Sequence, residues 1–136
     1  MFLLDTNVVS ELRRPDKANP KVLAWAQAQP ATLTFLSVVT ILEIELGALS
    51  IERRDPTQGR VLRAWLDENL LPRFEGRILP IDLAAARRCA ALHVPDPRGE
   101  RDALIAATAL VQGMTVVTRN TADFEPMGAP VLNPWL

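Results

Sequence analysis

The sequence is short of the residues that most often carry protein chemistry. It has one cysteine, Cys89, and one histidine, His93, in 136 residues. A single cysteine excludes an internal disulfide framework and a thiolate metal cage. A single histidine leaves no His-rich zinc site and few routes to a serine-type triad. No apolar run approaches the ~18 residues of a membrane span. Met1-Phe2-Leu3-Leu4-Asp5 lacks the basic region that precedes the apolar part of a signal peptide. An excess of one charge is also missing. Fifteen basic against 16 acidic side chains leave a net charge of −1, which excludes a strongly basic, histone-like binder. The expectation is a soluble, cytoplasmic domain whose chemistry rests on carboxylates.

What is present suits one compact domain spanning residues 1–136. Apolar residues make up 49% of the chain and charged residues 23%, enough for a core and too apolar for intrinsic disorder. Short apolar runs alternate with helical patterns. Phe2-Leu3-Leu4, Thr34-Phe35-Leu36-Ser37, Arg77-Ile78-Leu79-Pro80-Ile81, Thr115-Val116-Val117-Thr118 and Val131-Leu132 read as strands. The third is an edge strand, because Pro80 cannot donate to a ladder. Helices are expected over Thr6–Leu12, Pro20–Gln29, Val38–Ile51, Pro56–Leu71, Asp82–His93 and Glu100–Gln112, the last ended by Gly113. Strands separated by helices imply parallel pairing, hence an α/β fold: a three-layer α/β/α sandwich with a short central parallel sheet.

In such a sheet, ligands bind beyond the carboxyl ends of the strands. Asp5 directly follows the first strand, and Asp123 lies five residues after the fourth. Glu43 is in the second turn of the helix after the second strand, and Asp102 in the first turn of the helix leading into the fourth. Each has a plainer reading: Asp5 as a helix N-cap, Asp102 as an acid at a helix N-terminus, Asp123 as a turn residue, Glu43 as a solvated glutamate. Together they place four acids on one rim. Glu45 sits about 200° around the helix from Glu43, so only one of the two can face that rim. Glu43, nearer the strand end, is assigned inward. An all-carboxylate site suits Mg²⁺ or Mn²⁺ rather than zinc, and such ions promote phosphodiester hydrolysis. No P-loop and no G-x-G-x-x-G motif is present.

Four segments carry a resemblance. Leu4-Asp5-Thr6-Asn7, Thr40-Ile41-Leu42-Glu43-Ile44-Glu45-Leu46-Gly47, Asp102-Ala103-Leu104-Ile105-Ala106-Ala107-Thr108-Ala109 and Thr118-Arg119-Asn120-Thr121-Ala122-Asp123-Phe124 resemble, in order and over essentially the whole chain, the motifs of PIN-domain proteins. Within that family the likeness is to the VapC/FitB toxins of toxin–antitoxin pairs. The resemblance implies an endoribonuclease dependent on Mg²⁺ or Mn²⁺, with Asp5, Glu43, Asp102 and Asp123 as metal ligands. It also implies that Thr6, Asn7, Thr118 and Asn120 orient those acids or their waters. The partners it implies are RNA, often tRNA, a small antitoxin and a second copy of the chain in a homodimer or larger assembly. Operator DNA would be met only through the antitoxin.

Other residues read as structural. Asp82 caps its alanine-rich helix, and Cys89 is a packed small residue. His93 is a helix C-terminal charge or surface group. Trp25, Trp65 and Trp135 anchor core or interface. Arg53-Arg54, Arg87-Arg88 and Arg119 are the candidates for phosphate contacts. Two rival functions remain in view. One is a catalytically weak binding subunit of an antitoxin–toxin complex on operator DNA. The other is a small-molecule phosphohydrolase, disfavoured because no lid or nucleotide pocket is evident.

Overall fold

A computed structural model describes all residues 1–136. Five parallel strands form one sheet in the order β3-β2-β1-β4-β5: β1 (Phe2–Leu4), β2 (Thr34–Ser37), β3 (Ile78–Leu79), β4 (Thr115–Val117) and β5 (Val131–Leu132). β1 is central, with Phe2 opposite both Thr34 and Thr115. The period-2 alternation of strand side chains decides which layer each residue feeds. Leu3, Phe35 and Val116 belong to the core on one face, and Leu4, Leu36 and Val117 to the core on the other. Helices cover both faces, giving the expected three layers.

The first core packs against α6 (Leu83–Leu92) and α7 (Glu100–Gln112), which contribute Cys89, Ala103, Ile105, Ala106, Ala107 and Ala109. Run after run of alanine lets α7 lie close to the sheet. Gly113 at φ +68° ends it, a backbone region that favours glycine. The second core takes Val8 and Val9 from α1 (Thr6–Leu12), Val22 from α2 (Pro20–Ala28), and Leu66, Leu70 and Phe74. Two longer helices form the flank: α3 (Val38–Arg54) and α4 (Pro56–Trp65). α3 runs one turn beyond the expected Ile51. The helix expected over Pro56–Leu71 is broken: residues Leu66–Leu70 form a π-helical turn before the short α5 (Leu71–Arg73). That widened turn seats Leu66 and Leu70 in the core together. β3 has two residues rather than five, and Pro80 lies just past its end. It is the edge strand, as expected.

Several structural assignments hold. Asp82 Oδ1 accepts from the Ala85 N–H at 2.9 Å, capping α6. Burial, with Glu100 second, pushes the Cys89 thiol pKa up, so the thiolate is disfavoured. Trp25 packs edge-on against Phe2 at 5.2 Å. His93 differs. Its Nδ1 accepts from the Arg98 N–H at 3.0 Å, so the ring also ties down the 94–98 loop. No helix is long and apolar enough to cross a membrane.

Gly59 on α4 is buried against α3, and a Cβ there would stand 2.5 Å from the Glu52 Cα. Alanine gains about 1 kcal/mol of helix propensity over glycine, but this contact is with backbone and cannot relax locally. Gly59→Ala is therefore expected to destabilise the fold by about 1–3 kcal/mol, the usual cost of overpacking. Urea unfolding checks it, and a stabilised variant would show that α4 is free to slide.

Candidate active site

All five strands point the same way, so their carboxyl ends share one rim, and the site is built there. Asp5 follows β1, and Thr118 follows the adjacent β4. Their hydroxyl–carboxylate bond, Thr118 Oγ1 to Asp5 Oδ2, is 2.8 Å long. Asp5 also opens α1: its Oδ1 accepts from the Thr6 N–H at 2.8 Å. Asp5 thus caps its helix and also stands on the shared rim. Asn7, the second residue of α1, donates from Nδ2 to Asp5 Oδ2 at 3.3 Å and to Thr118 Oγ1 at 3.2 Å. Its Oδ1 accepts from the Arg119 N–H at 3.3 Å. Asn120 contributes its backbone N–H to Thr118 Oγ1 at 3.0 Å. Its side chain caps nothing. Thr6, Asn7 and Thr118 therefore fix the carboxylates through their side chains, and Asn120 only through its main chain.

β2 is the other neighbour of β1, so α3, which starts at its exit, brings Glu43 alongside α1. Thr6 Oγ1 donates to Glu43 Oε1 at 2.8 Å. Glu45 points elsewhere: it pairs with Arg63 of α4, which also binds Glu52. The angular separation of the two glutamates thus settles into separate partners, the rim for Glu43 and the α3–α4 seam for Glu45. Asp102 is half-buried in the first turn of α7, and no side chain caps that helix at Gly99. Asp123 is exposed in α8 (Thr121–Phe124), a short helix where only a turn was expected.

The electrostatics tie the four acids together. Burial raises the Asp5 pKa, the Thr118 hydroxyl and Thr6 N–H pull it back, and Glu43 and Asp123 add repulsion. Asp102 is pushed to about 6, first by burial and then by the charges of Asp5, Asp123 and Glu43. Against this the rim has one nearby cation, Arg101, 3.8 Å from Glu43 and half exposed. The acids are close enough to repel, yet no three acidic, His or Cys side chains converge on one point at ligand distances. Electrostatic coupling reaches further than coordination, so the two facts agree: the charges form a cluster, not a closed cage. The donor set, all oxygen, negative and under-compensated, fits Mg²⁺ or Mn²⁺.

The basic residues lie at different distances from the rim. Arg53 and Arg54 close α3, roughly 20 Å along the helix from the rim. Arg87 and Arg88 are exposed on α6. Arg119 lies over the Trp135 ring, 5.3 Å from its centre. Sequence reasoning did not single out Arg13, Arg14 and Lys17. They line a polar depression of about 360 Å³ that begins at Asn7. The better-enclosed hollow, about 190 Å³ between Trp25, Trp65 and Phe74, has no acid in its lining and is separate from the site.

Against known proteins, residues 2–128 match the family described as PIN domain. The chain is 40% identical to "VapC ribonuclease Y4jK" of Sinorhizobium fredii, covering 99% of this chain and 98% of that one. It is 39% identical to "Toxin FitB" of Neisseria gonorrhoeae over 99% of each. The solved "Structure of FitAB bound to IR36 DNA fragment" superposes with a TM-score of 0.90 at 36% identity, covering 100% of this chain and 96% of that one.

The raised Asp102 pKa has a signed consequence. Below the ordinary aspartate value of 3.8 both folded and unfolded chains hold the proton, and no penalty exists. As pH rises towards about 6 the unfolded chain ionises first, so stability falls across that window and stays lower above it. Asp102→Asn should flatten this fall and be at least as stable as wild type at pH 7.5 in EDTA. Melting curves from pH 4 to 7.5 decide it, and a marked loss of stability in the variant would make Asp102 a structural acid.

Proposed function

This chain belongs to the PIN-domain family, and from that premise we propose that it is a Mg²⁺- or Mn²⁺-dependent endoribonuclease, the toxin of a toxin–antitoxin pair. One observation carries the reading: a buried aspartate, locked by Thr118, Asn7 and the Thr6 N–H, sits within repulsive range of three further carboxylates on the rim where such sheets bind ligands. Asp5, Glu43, Asp102 and Asp123 would hold the ion. Held there, such an ion would supply activation of water and charge stabilisation at the leaving oxygen.

The chain's own residues set up that chemistry. Thr118 and Asn7 together hold Asp5 Oδ2, so this carboxylate is presented in one orientation, as a preorganised site requires. Thr6 fixes Glu43 through Oε1 and leaves Oε2 facing Arg101. Asp102 and Asp123 complete the negative field from the other side of the rim, and RNA supplies the phosphodiester. The likeness to VapC and FitB supports a ribonuclease toxin, and the likeness to a FitAB assembly on DNA supports a small antitoxin partner and contact with operator DNA through it.

A homodimer fits the surface. Val38, Leu42, Leu46 and Leu49 of α3 stand 37%, 52%, 47% and 52% exposed in one stripe, with Val61 of α4 at 51%. Apolar side chains at that spacing form a continuous patch suited to burial against a second copy.

Glu43→Gln is expected to lower metal-dependent RNA cleavage by at least about 100-fold, the scale of losing one electrostatic group in a preorganised site. Glu45→Gln, which loses only a partly exposed ion pair, should stay within a few-fold of wild type. Cleavage of a labelled RNA with Mn²⁺ and with EDTA measures both. Equal losses in two folded variants would refute the assignment of Glu43 to the rim.

A further inference from the structure

The depression along α1 has a composition that the catalytic acids do not explain. Six residues line it, Asn7, Ser10, Glu11, Arg13, Arg14 and Lys17, and none is apolar. Its one acid is already engaged: Glu11 Oε2 accepts from the Asn19 N–H at 2.8 Å. Its three cations are free, because the ion pairs of this protein belong to Arg63 and Arg101. Two other arginines beside the sheet are already engaged. Arg77 donates to the carbonyls of Ala31, Thr34 and Arg73, and Arg119 is stacked on Trp135.

Position adds to composition. Asn7 belongs to both places, since the amide that holds Asp5 and Thr118 is also a wall of the depression. α1 leads away from Asp5, and eight residues at 1.5 Å each put Arg13 about 12 Å along from it. We propose that the depression is a phosphate track: the backbone of a single-stranded RNA leaves the scissile position at Asp5 and runs along α1 past Asn7 and Ser10, with its phosphates on Arg13, Arg14 and Lys17.

This rests on the ribonuclease reading above and deepens it by placing the substrate's path. An anionic strand brought to a cluster of four carboxylates needs cations outside that cluster, and contacts to phosphate position a substrate without reading its sequence. Arginine suits this by bidentate contact with phosphate oxygens. An acidic protein segment would offer the same charge, but peptide docking relies on apolar anchors that this lining lacks. Basic residues at a helix C-terminus also complement its dipole, a role that would show in stability and not in RNA affinity.

The test uses the full chain in a Glu43→Gln background, so that RNA is bound and not cut, with and without Arg13→Gln, Arg14→Gln and Lys17→Gln together. Fluorescence anisotropy with a labelled single-stranded RNA is followed from 50 to 300 mM KCl. The triple change is expected to weaken binding about tenfold or more at 100 mM and to lower the slope of log K against log salt by about two, at roughly 0.7 per phosphate contact. The melting temperature should stay unchanged. In the Glu43 wild type, the triple change should raise KM for long RNA and leave kcat nearly unaltered, the mark of positioning residues. Equal affinity and salt slope with and without the change would overturn the track while leaving the ribonuclease reading intact. Loss of binding to poly-glutamate with RNA binding retained would overturn it in favour of an acidic protein segment. A fall in melting temperature that accounts for the weaker binding would return these cations to the helix dipole. If the parent binds no RNA and the wild type cuts none with Mn²⁺, the ribonuclease reading falls, and the track with it.

Discussion

A carboxylate buried at the carboxyl end of the central strand is the constraint around which this fold is arranged. Asp5 cannot move out to solvent, because β1 is paired on both sides and α1 begins at the next residue. A charge in that position is costly unless it is hydrogen-bonded or paired. Each neighbour answers part of the cost: β4 delivers the Thr118 hydroxyl, α1 delivers a main-chain N–H and the Asn7 amide. These three donors lower the penalty but do not remove it. The carboxylates brought in by α3, α7 and α8 then raise it again. A protein that only needed a capped helix would not surround its cap with three more negative charges. The proposed cation would offset that repulsion.

α1 links the parts of the molecule that function requires. Its N-terminus is fixed by Asp5 and its first turn supplies Val8 and Val9 to the core. Thr6 holds Glu43 of α3, Asn7 holds the Asp5 cap, and the free basic residues follow directly after its last turn. In seven residues, one helix thus sets carboxylate geometry and core packing, and it leads straight into the charge outside the site. α3 divides its duties by face instead. Glu43 faces the rim, Glu45 the seam with α4, and Leu42, Leu46 and Leu49 the outside.

Much of this was legible because strong local signals coincided with the tertiary structure. β1, β2 and α7 were readable as apolar runs bounded by Asp5, Ser37 and Gly113, since turn and cap chemistry agreed with pattern. The acid set was readable because polar residues inside apolar segments, such as Glu43 and Asp102, demand an account. Other features were hidden for physical reasons. The π turn at Leu66–Leu70 is one extra residue in an otherwise periodic helix, chosen by packing, and periodicity cannot register it. β3 is short because Pro80 blocks further pairing, which marks where the ladder stops and not where it starts. His93 depends on a loop folding back to present the Arg98 N–H. Arg13, Arg14 and Lys17 look like a helix end in one dimension; only the fold shows that they share a wall with Asn7.

The central claim is that the rim is a cation site made by four acids under mutual strain. The most direct measurement is thermal unfolding at pH 7.5 with EDTA, with millimolar Mg²⁺ and with millimolar Mn²⁺. Ion binding to the folded form alone should raise the melting temperature by mass action, and the rise should shrink sharply when Asp123 or Glu43 is replaced by its amide. A wild-type protein whose melting temperature is the same in EDTA and in either ion would contradict the account.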